Sequence, residues 1–565
     1  MARMKLSLDK PLIIERFSNE LRRMVSEISA SLRDFFEDSI NGVFGNDHKI
    51  IVTKLFSEWC YRNDIIPLND LYDILRERIK HIIELSGEDD RKREIDRLVK
   101  DIVNGTRNSE GNIRSSIARC IANVMSGRTN FEEIIWSCTK DLLDNYISLF
   151  LDQTAHVIIA RLLVYRVMED KGYVPKLFID NRSGHRYDSL KMLIEIRQNY
   201  ETLLPNIYAL SEFDWWYIPD IKRGILNHDQ KMILRRYEES FKYVLDRVIN
   251  VLINYDLSDI DFDIWQRIYQ HYLPDNERQR LGGFYTPHEL ASLIIDLSGY
   301  RSEAIDLCKK KVLDPACGSG TFIVEVTRRL IKHLESRQEC HKLSNIEWVR
   351  AKSILETIKN NIYAIDIHPF ATFLTSLNLT MLLLDYYFRV HHQDPEYRLE
   401  LNVVTADSLM KYAHISITGF LTNARLEEAH RRLEKYKKIL SIKFDYVFGN
   451  PPWGSVLKGS LSPLWNPRKR EEYRRRYKSA CGKYDVYVLF IERGIEWLRD
   501  NGVLGMVVNN RFLTRGFGEC IRRVIVDNTR IKYIIDFSEY GSDLFPGATN
   551  YPVVIILEKH VGSKG

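Results

Sequence analysis

One short stretch constrains the fold of this chain more than any other: an apolar strand, a glycine-rich turn and an apolar helix. Val312-Leu313-Asp314 forms the strand, Gly318 and Gly320 mark the turn, and the helix follows at residues 322–330. Glycine permits a positive φ and lets a ligand approach the backbone closely. In open α/β sheets, ligands bind where such strands end. The stretch therefore predicts a mostly parallel α/β sheet with a ligand site after its first strand.

The glycine spacing narrows the choice of ligand. The turn lacks the Gly-x-Gly-x-x-Gly pattern of dinucleotide-binding loops and the Lys-Ser/Thr of phosphate-binding loops. A phosphate cradle is therefore disfavoured, and Asp314 is better placed to meet a cationic group such as an amino-acid ammonium. Asp366 ends a second strand at residues 362–365. An acidic residue at that position commonly accepts hydrogen bonds from ribose hydroxyls.

A second motif, Asn450-Pro451-Pro452-Trp453, directly follows a strand-like apolar run at residues 444–449. Two successive prolines fix φ and remove two N–H donors. The side-chain oxygen of Asn450 and the carbonyl of Pro451 are then predicted to converge on one NH₂ group. Trp453 supplies an aromatic face beside them, which suits an amino group on a planar ring that is held still for alkylation. Taken alone, the motif also fits an ordinary proline turn after a strand.

Together, the two motifs resemble those of the S-adenosylmethionine-dependent N6-adenine DNA methyltransferases. The resemblance is to the group related to type IIG restriction–modification enzymes, and it covers about residues 270 to 560. It implies an α/β Rossmann-like methyltransferase fold, with a seven-stranded, mostly parallel sheet and an antiparallel last strand. It also implies methyl transfer from S-adenosylmethionine to N6 of an adenine that is flipped out of double-stranded DNA. The expected setting is a restriction–modification or related defence system.

The resemblance also implies a role for each part of the site. Asn450, Pro451, Pro452 and Trp453 are the expected catalytic residues. Asp407, after a strand at residues 402–405, is expected to bind the amino group of the cofactor's adenine. The segment 285–287 is expected to hold the methionine carboxylate, with Thr286 as the N-cap of the following helix. The expected cofactor-binding residues are Tyr285, Thr286, Pro287, Asp314, Ala316, Cys317, Gly318, Gly320, Thr321, Phe322, Asp366, Ile367, Asp407 and Ser408.

A basic stretch follows the Asn-Pro-Pro-Trp motif. The formal net charge of +5 permits nucleic-acid binding but does not require it, so a prediction of binding depends on whether positive charges cluster locally. Between residues 454 and 484, cations are interleaved with Trp465, Tyr473 and Tyr477. We interpret this mixture as a surface for phosphates and unstacked bases, with a merely solvated face as the alternative. The expected DNA-binding residues are Arg468, Lys469, Arg470, Arg474, Arg475 and Arg476.

The chain divides into a predicted all-α N-terminal domain, residues 1–270, and a methyltransferase domain, residues 271–565. In the first part glycine and proline are sparse, and apolar residues recur every three or four positions. Asp90-Arg91-Lys92 has the spacing of the Asp/Glu-x-Lys motif of metal-dependent nucleases. It lies in a charged helical run without a strand, so no nuclease is predicted.

Eight scattered cysteines without a C-x-x-C pair predict neither zinc nor a disulfide framework. By sequence, no apolar run reaches the roughly 18 residues that a membrane span requires. We therefore expect a cytoplasmic protein that uses neither a membrane nor a metal.

Three alternatives remain open. Asn-Pro-Pro-aromatic motifs also occur in methyltransferases of RNA bases and of protein glutamine amides. The third alternative is that the chain is a non-catalytic DNA-binding remnant of a split modification enzyme. Relatives in this group carry a target-recognition domain after the last strand, whereas this sequence stops at Gly565. The predicted partners are therefore double-stranded DNA and, as an open alternative, a separate target-recognition or nuclease subunit.

Overall fold

The structure is a computed structural model that describes most of the chain. The described residues are 3–7, 10–62, 66–106, 110–126, 130–178, 188–201, 203–209, 211–216, 226–272, 286–301, 307–336, 346–410, 423–453, 467–540 and 551–560.

The N-terminal half is built from amphipathic helices that share one core. In α1, Phe17, Leu21, Met24 and Ile28 recur at intervals of three or four residues, and all four side chains are buried. This face of α1 packs against α6, α9 and α10. The helices are α1 (Pro11–Asn41), α2 (Asn46–Arg62), α3 (Leu68–Glu84), α4 (Glu88–Thr106), α5 (Glu110–Met125), α6 (Phe131–Asp170), α7 (Ser189–Tyr200), α8 (Pro205–Tyr208), α9 (His228–Ile253) and α10 (Phe262–Tyr272).

One short strand pair interrupts the predicted all-helical pattern. Strand β1 (Met4–Lys5) runs parallel to β2 (Tyr255–Asp256), and the N–H of Met4 donates to the carbonyl of Asn254 at 2.9 Å. Two residues are too few to show an alternation of apolar and polar side chains, so this pair could not be predicted from the sequence. Elsewhere in the described part of this half, the all-α prediction is confirmed.

Helix α6 is long and apolar enough to cross a membrane by length and composition, which the sequence analysis did not anticipate. In the structure, 89% of its most apolar window is buried inside the protein. The helix also carries two buried arginines, Arg161 paired with Asp214 and Arg166 paired with Glu169. Buried charges are tolerated when they are paired in this way. The helix is therefore a core helix of the N-terminal half.

The C-terminal half contains the predicted seven-stranded sheet, in the order β5-β4-β3-β6-β7-β9-β8. All neighbouring pairs are parallel except those of β9, which runs antiparallel to β7 and β8. The predicted methyltransferase fold is thus confirmed. The strands are β3 (Val312–Asp314), β4 (Ile362–Asp366), β5 (Asn402–Thr405), β6 (Phe444–Gly449), β7 (Leu498–Asn509), β8 (Thr529–Asp536) and β9 (Pro552–Lys559).

Helices connect and cover these strands. Because both faces of the central strands are covered, β3 and β4 are buried along their whole length and contain few polar residues. The helices are α11 (His288–Leu297), α12 (Thr321–Ser336), α13 (Glu347–Asn361), α14 (Pro369–His391), α15 (Asn423–Leu440), α16 (Pro467–Arg476), α17 (Val486–Trp497), α18 (Arg511–Thr514) and α19 (Glu519–Asn528).

The register of the central strands determines where a ligand site forms. Leu313 of β3 lies opposite Tyr363 of β4 on one side and Val447 of β6 on the other. The carboxyl ends of β5, β4, β3 and β6 therefore meet along one edge of the sheet. Ligands bind at this edge in open α/β sheets.

The two halves of the chain are in contact. The indole N–H of Trp265 in α10 donates to Oδ1 of Asn378 in α14 at 2.9 Å. The hydroxyl of Tyr173 donates to Asp385, also in α14, at 3.0 Å. The domain boundary between residues 270 and 271 stays a prediction, and it falls near the end of α10.

The prediction that the cysteines form no disulfides was wrong. Cys120 is bonded to Cys138, and Cys481 to Cys520, across Cα distances of 6.1 and 6.4 Å. Packing of separate segments of the chain brings each pair together, and such a proximity leaves no local signature in the sequence. Asp90 lies in α4, where it pairs with Arg93 at 2.8 Å. Within the described ranges, no group of three or more His, Cys, Asp and Glu side chains is arranged to hold a metal ion.

Candidate cofactor and target site

The glycine loop, residues 315–320, joins β3 to α12 and is shaped by polar side chains of α14. Gly318 and Gly320 have φ angles of +54° and +95°, in the region that favours glycine. A Cβ on Gly320 would lie 3.1 Å from Oγ1 of Thr375. That hydroxyl donates to the carbonyl of Gly318 at 2.8 Å, and Nδ2 of Asn378 donates to the carbonyl of Ser319 at 3.0 Å. The loop is thus held in a fixed shape.

Asp314 lies at the base of this loop and is only 1% exposed. Its Oδ1 accepts from the N–H of Ala316 at 3.0 Å, while its Oδ2 has no hydrogen-bond partner among the described residues. Burial raises the pKa of Asp314 well above its usual range. The hydrogen bond from the N–H of Ala316 lowers this pKa in part, whereas the nearby carboxylate of Asp366 raises it further. A cation placed beside it would restore the charged form. This unused buried acceptor fits an ammonium group.

Asp366 ties the end of β4 to the glycine loop. Its Oδ2 accepts from the N–H of Gly318, and its Oδ1 from the N–H of His368, both at 2.9 Å. The next residue, Ile367, is half-buried between them. The loop is also fixed by the N–H of Cys317, which donates to the carbonyl of Ile365 at 3.0 Å.

The thiol of Cys317 is buried within this network. Burial, and then the carboxylates of Asp366 and Asp314, raise the pKa of Cys317 well above its usual range. A thiol that stays protonated is a poor nucleophile. We therefore assign Cys317 a structural role in the loop.

The end of β5 joins the same network. The N–H of Ala406 donates to the carbonyl of Asp366 at 2.8 Å, and Oγ of Ser408 donates to the carbonyl of Pro315 at 2.6 Å. Asp407 accepts from the N–H of Leu409 through Oδ1 at 3.0 Å. These contacts place Asp407 and Ser408 beside the glycine loop, and their predicted role in cofactor binding stays a prediction.

The two remaining predicted cofactor-binding residues of this segment, Thr321 and Phe322, lie where the glycine loop enters α12. Thr321 is the first residue of α12. The buried ring of Phe322 stacks on Phe448 of β6, with centroids 6.2 Å apart. Both residues fix the loop relative to the sheet.

Asn450 follows β6 and lies next to Asp314. A Cβ on Gly449 would come within 3.1 Å of Oδ1 of Asp314, so a glycine permits this close approach. The amide Nδ2 of Asn450 donates to Oγ1 of Thr286 at 3.1 Å. This bond orients the amide group of Asn450, with its nitrogen towards Thr286 and its oxygen directed away from Thr286. Of the remaining catalytic candidates, Pro451 is buried, and Pro452 and Trp453 are half-buried.

The prediction that Thr286 is the N-cap of α11 was wrong. The helix begins at His288, its N-cap is Pro287, and no side chain caps it. Thr286 lies one residue too early, and its hydroxyl accepts from Asn450 instead. Tyr285 lies outside the described residues.

The basic stretch divides into two kinds of side chain. Arg474 and Arg475 of α16 are exposed, and Arg475 pairs with Glu471 at 3.1 Å. Arg476 differs, because its guanidinium lies over the ring of Tyr477 at 5.2 Å. Its three nitrogens are buried and have no hydrogen-bond partner in the described part of the chain. Arg468, Lys469 and Arg470 belong to the first turns of α16.

The prediction that Tyr473 and Tyr477 stack on exposed bases was wrong. Both rings are buried against the sheet domain. The hydroxyl of Tyr473 donates to Oδ2 of Asp407 at 3.1 Å. An amphipathic helix buries its aromatic face and exposes its charged face, and the high charge of this stretch hid that division. Trp465 lies outside the described residues.

Sequence reasoning missed several contributors to the site. The role of Thr286 towards Asn450 depends on a contact between residues 164 positions apart. Thr375 and Asn378 gave a weak signal, because they are polar residues three positions apart within the apolar stripe of α14. Such residues in a buried helix require hydrogen-bond partners, which here are carbonyls of the glycine loop.

The arrangement combines two chemical features along one sheet edge. Asp407, Asp366 and Asp314 line one part, beside a glycine loop that a ligand can approach closely. Asn450 and Trp453 follow on the neighbouring strand β6. The site can therefore bind a ligand with cationic, hydroxyl and amino groups next to a second ligand that presents an amino group.

A comparison with known protein families identifies the larger part of this site. Residues 360–545 match the family described as Eco57I restriction-modification methylase. These residues form an Eco57I restriction-modification methylase domain. The domain includes Asp366, Asp407, the Asn-Pro-Pro-Trp motif and α16, while the glycine loop precedes it.

Individual relatives are similar to the chain at low identity. The type II methyltransferase M.BstVI of Geobacillus stearothermophilus is 27% identical over 277 residues, which are 49% of this chain and 42% of that protein. The type II restriction enzyme and methyltransferase RM.Eco57I of Escherichia coli is 27% identical over 273 residues, 45% of this chain and 25% of that protein. The adenine-specific methyltransferase PglX of Streptomyces coelicolor is 25% identical over 275 residues, 45% and 21% respectively. The chain thus spans less than half the length of each.

Proposed function

We propose that this chain is an S-adenosylmethionine-dependent DNA methyltransferase that modifies N6 of adenine in double-stranded DNA. We further propose that it acts in the cytoplasm, within a restriction–modification or related defence system. The observation that carries the proposal is the row of polar side chains at neighbouring strand ends. Asp366 and Asp314 are the last residues of β4 and β3, Asp407 lies two residues after the end of β5, and Asn450 directly follows β6.

The chain's own residues fit S-adenosylmethionine group by group. The unused Oδ2 of buried Asp314 suits the ammonium of the methionine part. Asp366 suits the ribose hydroxyls, and Asp407 suits the amino group of adenine. The hydroxyl of Thr286 and the free N–H groups at the start of α11 suit the carboxylate. When bound, S-adenosylmethionine supplies an electrophilic sulfonium methyl group.

Asn450 and Pro451 are proposed to act on the target amino group. The lone pair of an adenine N6 is delocalised into the ring and is poorly nucleophilic. Two fixed acceptors, the amide oxygen of Asn450 and the carbonyl of Pro451, would orient the two hydrogens and favour a more tetrahedral nitrogen. Fixed dipoles of this kind stabilise the developing positive charge, and holding the reactants together adds a proximity effect. The half-buried ring of Trp453 would stack on the flipped base.

Double-stranded DNA is the proposed substrate for two reasons. Helix α16 presents Arg474 and Arg475 to solvent beside the site, as phosphate binding requires. The similar proteins named above are a type II methyltransferase, a type II restriction enzyme and methyltransferase, and an adenine-specific methyltransferase. A separate target-recognition or nuclease subunit is proposed as a further partner, because one similar protein is named as both a restriction enzyme and a methyltransferase.

The test is transfer of a tritiated methyl group from S-adenosylmethionine to duplex DNA, RNA and protein acceptors in parallel. Unmethylated genomic DNA provides every sequence context. We expect label in duplex DNA with the intact chain, and transfer slower by about 10²–10³ with Asn450→Ala. Asn123→Ala, which changes an exposed asparagine of α5, is the matched control. Transfer to RNA or protein in preference to DNA would overturn the proposal.

A further inference from the structure

Three tyrosine hydroxyls converge on the turn that follows β5, residues 406–410. Tyr436 of α15 donates to the carbonyls of Asp407 and Met410, both at 2.8 Å. Tyr477, just after α16, donates to the carbonyl of Leu409 at 2.7 Å. Tyr473 of α16 donates to Oδ2 of Asp407 at 3.1 Å. Helices α15 and α16 are therefore attached to the turn that carries Asp407.

The attachment is buried and specific. Tyr436, Tyr473 and Tyr477 are 0%, 1% and 2% exposed. A buried hydroxyl that loses its acceptor costs free energy, so each of these bonds constrains the turn. Burial raises the pKa of Tyr436 and of Tyr477, which keeps both hydroxyls protonated as donors.

Only one of the three tyrosines reaches a side chain of the proposed cofactor site. Tyr436 and Tyr477 contact main-chain carbonyls, whereas Tyr473 contacts the carboxylate of Asp407. With Leu409 N–H on Oδ1 and Tyr473 on Oδ2, both oxygens of Asp407 have a protein donor. A carboxylate oxygen can accept more than one hydrogen bond, so the bond from Tyr473 does not by itself prevent Oδ2 from accepting from an amino group.

The helix that supplies Tyr473 has two distinct faces. Tyr473 and Tyr477, four positions apart, point into the core, while Arg474 and Arg475 are exposed. The proposed cofactor pocket is thus completed by the same helix that carries exposed cations.

We propose that Tyr473 is a positioning residue that holds the Asp407 carboxylate in the orientation that recognises the 6-amino group of the cofactor's adenine. The inference deepens the proposed function and rests on it. Tyr473 itself does not touch the cofactor. Its loss would remove one of the donors that fix this carboxylate, so the carboxylate would rotate more freely and discriminate less well between an amino group and an oxo group.

The experiment is calorimetric titration of the full chain with S-adenosylhomocysteine and with S-inosylhomocysteine, whose base carries an oxo group in place of the amino group. Tyr473→Phe keeps the ring and removes the hydroxyl. We expect it to weaken S-adenosylhomocysteine binding by about 3- to 10-fold, and to reduce the preference over the inosyl analogue by a similar factor. Tyr243→Phe, which removes the hydroxyl of an exposed tyrosine of α9, is the matched control and should retain the wild-type preference.

The outcomes separate this inference from the proposed function. If the intact chain does not bind S-adenosylhomocysteine, the proposed function fails, and this inference fails with it. If it binds, and Tyr473→Phe retains the wild-type preference, this inference alone is overturned. A double-mutant cycle with Asp407→Asn guards against a folding effect, because Tyr473→Phe should reduce the preference no further in that background. A further reduction there would mean that Tyr473 acts by another route.

Discussion

The cofactor side and the target side of the sheet edge are held together by different kinds of contact. At the ends of β3, β4 and β5, most donors are main-chain N–H groups, such as those of Ala316, Gly318 and Ala406. At the end of β6, the contact joins two side chains, those of Asn450 and Thr286. Proline aside, a substitution cannot delete a main-chain N–H, but it can delete either partner of a side-chain pair. The target side should therefore be the more sensitive to conservative changes.

The largest expected effect is that of Asn450→Ala, which should distinguish the target side of the sheet edge from the cofactor side. Asn450→Ala removes one of two proposed acceptors for the target amine and should lower the rate of methyl transfer by about 10²–10³. Cofactor affinity should be nearly unchanged, because Asn450 faces the target and not the cofactor. Single-turnover kinetics and calorimetry with S-adenosylhomocysteine measure the two quantities. Equal losses in both would remove the distinction between the sides.

The reciprocal change is Asp366→Ala on the cofactor side. It leaves the N–H of Gly318 and the proposed ribose hydroxyls without an acceptor, so S-adenosylhomocysteine binding should weaken by about 1–3 kcal/mol. Calorimetry on folded protein measures the loss, with Asp527→Ala, an exposed carboxylate of α19, as the control. Unchanged affinity would count against the assignment of Asp366.

A conservative substitution tests the sensitivity of the target side. Thr286→Val keeps the shape of the side chain and removes the hydroxyl that accepts from Asn450. We expect kcat to fall by about 10-fold, in line with a lost hydrogen bond of about 1.5 kcal/mol, and Thr286→Ser to recover most of it. If only the KM for the cofactor changes, Thr286 serves the carboxylate alone and does not position Asn450.

Salt dependence tests the exposed face of α16. Replacing Arg474 and Arg475 together by glutamine should weaken DNA binding and reduce the log–log salt slope by about 0.9 for each lost phosphate contact. Arg476 is left intact, because its guanidinium is buried over Tyr477. Replacing exposed Arg93 and Arg97 of α4 provides the control. An unaltered slope would reduce the stretch to a solvated surface.

The smallest expected effect concerns the stability of α11. A hydrogen bond with Glu325 raises the pKa of His288, even though burial opposes the shift. A raised folded-state pKa means that this stabilisation is complete below the unfolded value of about 6.5 and is lost as pH rises through the folded value. His288→Gln should therefore lower the Tm more at pH 6 than at pH 9. The difference should be on the order of 1 °C, since the His288 side chain is 39% exposed. An equal Tm loss at both pH values would exclude the charged pair as its source.

The same contrast explains what the sequence could predict. Asp314, Asp366 and Asp407 each come directly after a short apolar strand, so strand and carboxylate are read together in one local pattern. Parallel pairing then brings the strand ends to one edge. The fold and the cofactor side follow from patterns of this kind.

The side-chain contacts between distant elements have no local pattern. Thr286 and Asn450 are 164 positions apart, and Tyr473 and Asp407 are 66 apart. The charge of the stretch around Tyr473 predicted an exposed surface, yet the tyrosines pack inward. The disulfides were missed for the same reason, because the packing of separate segments of the chain decides them.

The most direct test of the central claim is the chemical identity of the methylated product. Unmethylated genomic DNA is incubated with the intact chain and S-adenosylmethionine that carries a deuterated methyl group. The DNA is then digested to nucleosides and analysed by mass spectrometry. The account predicts the deuterated methyl group on N6-methyladenine, at a level that falls by about 10²–10³ with Asn450→Ala. Label on cytosine N4, or no labelled nucleoside from a chain that binds S-adenosylhomocysteine and DNA, would contradict it.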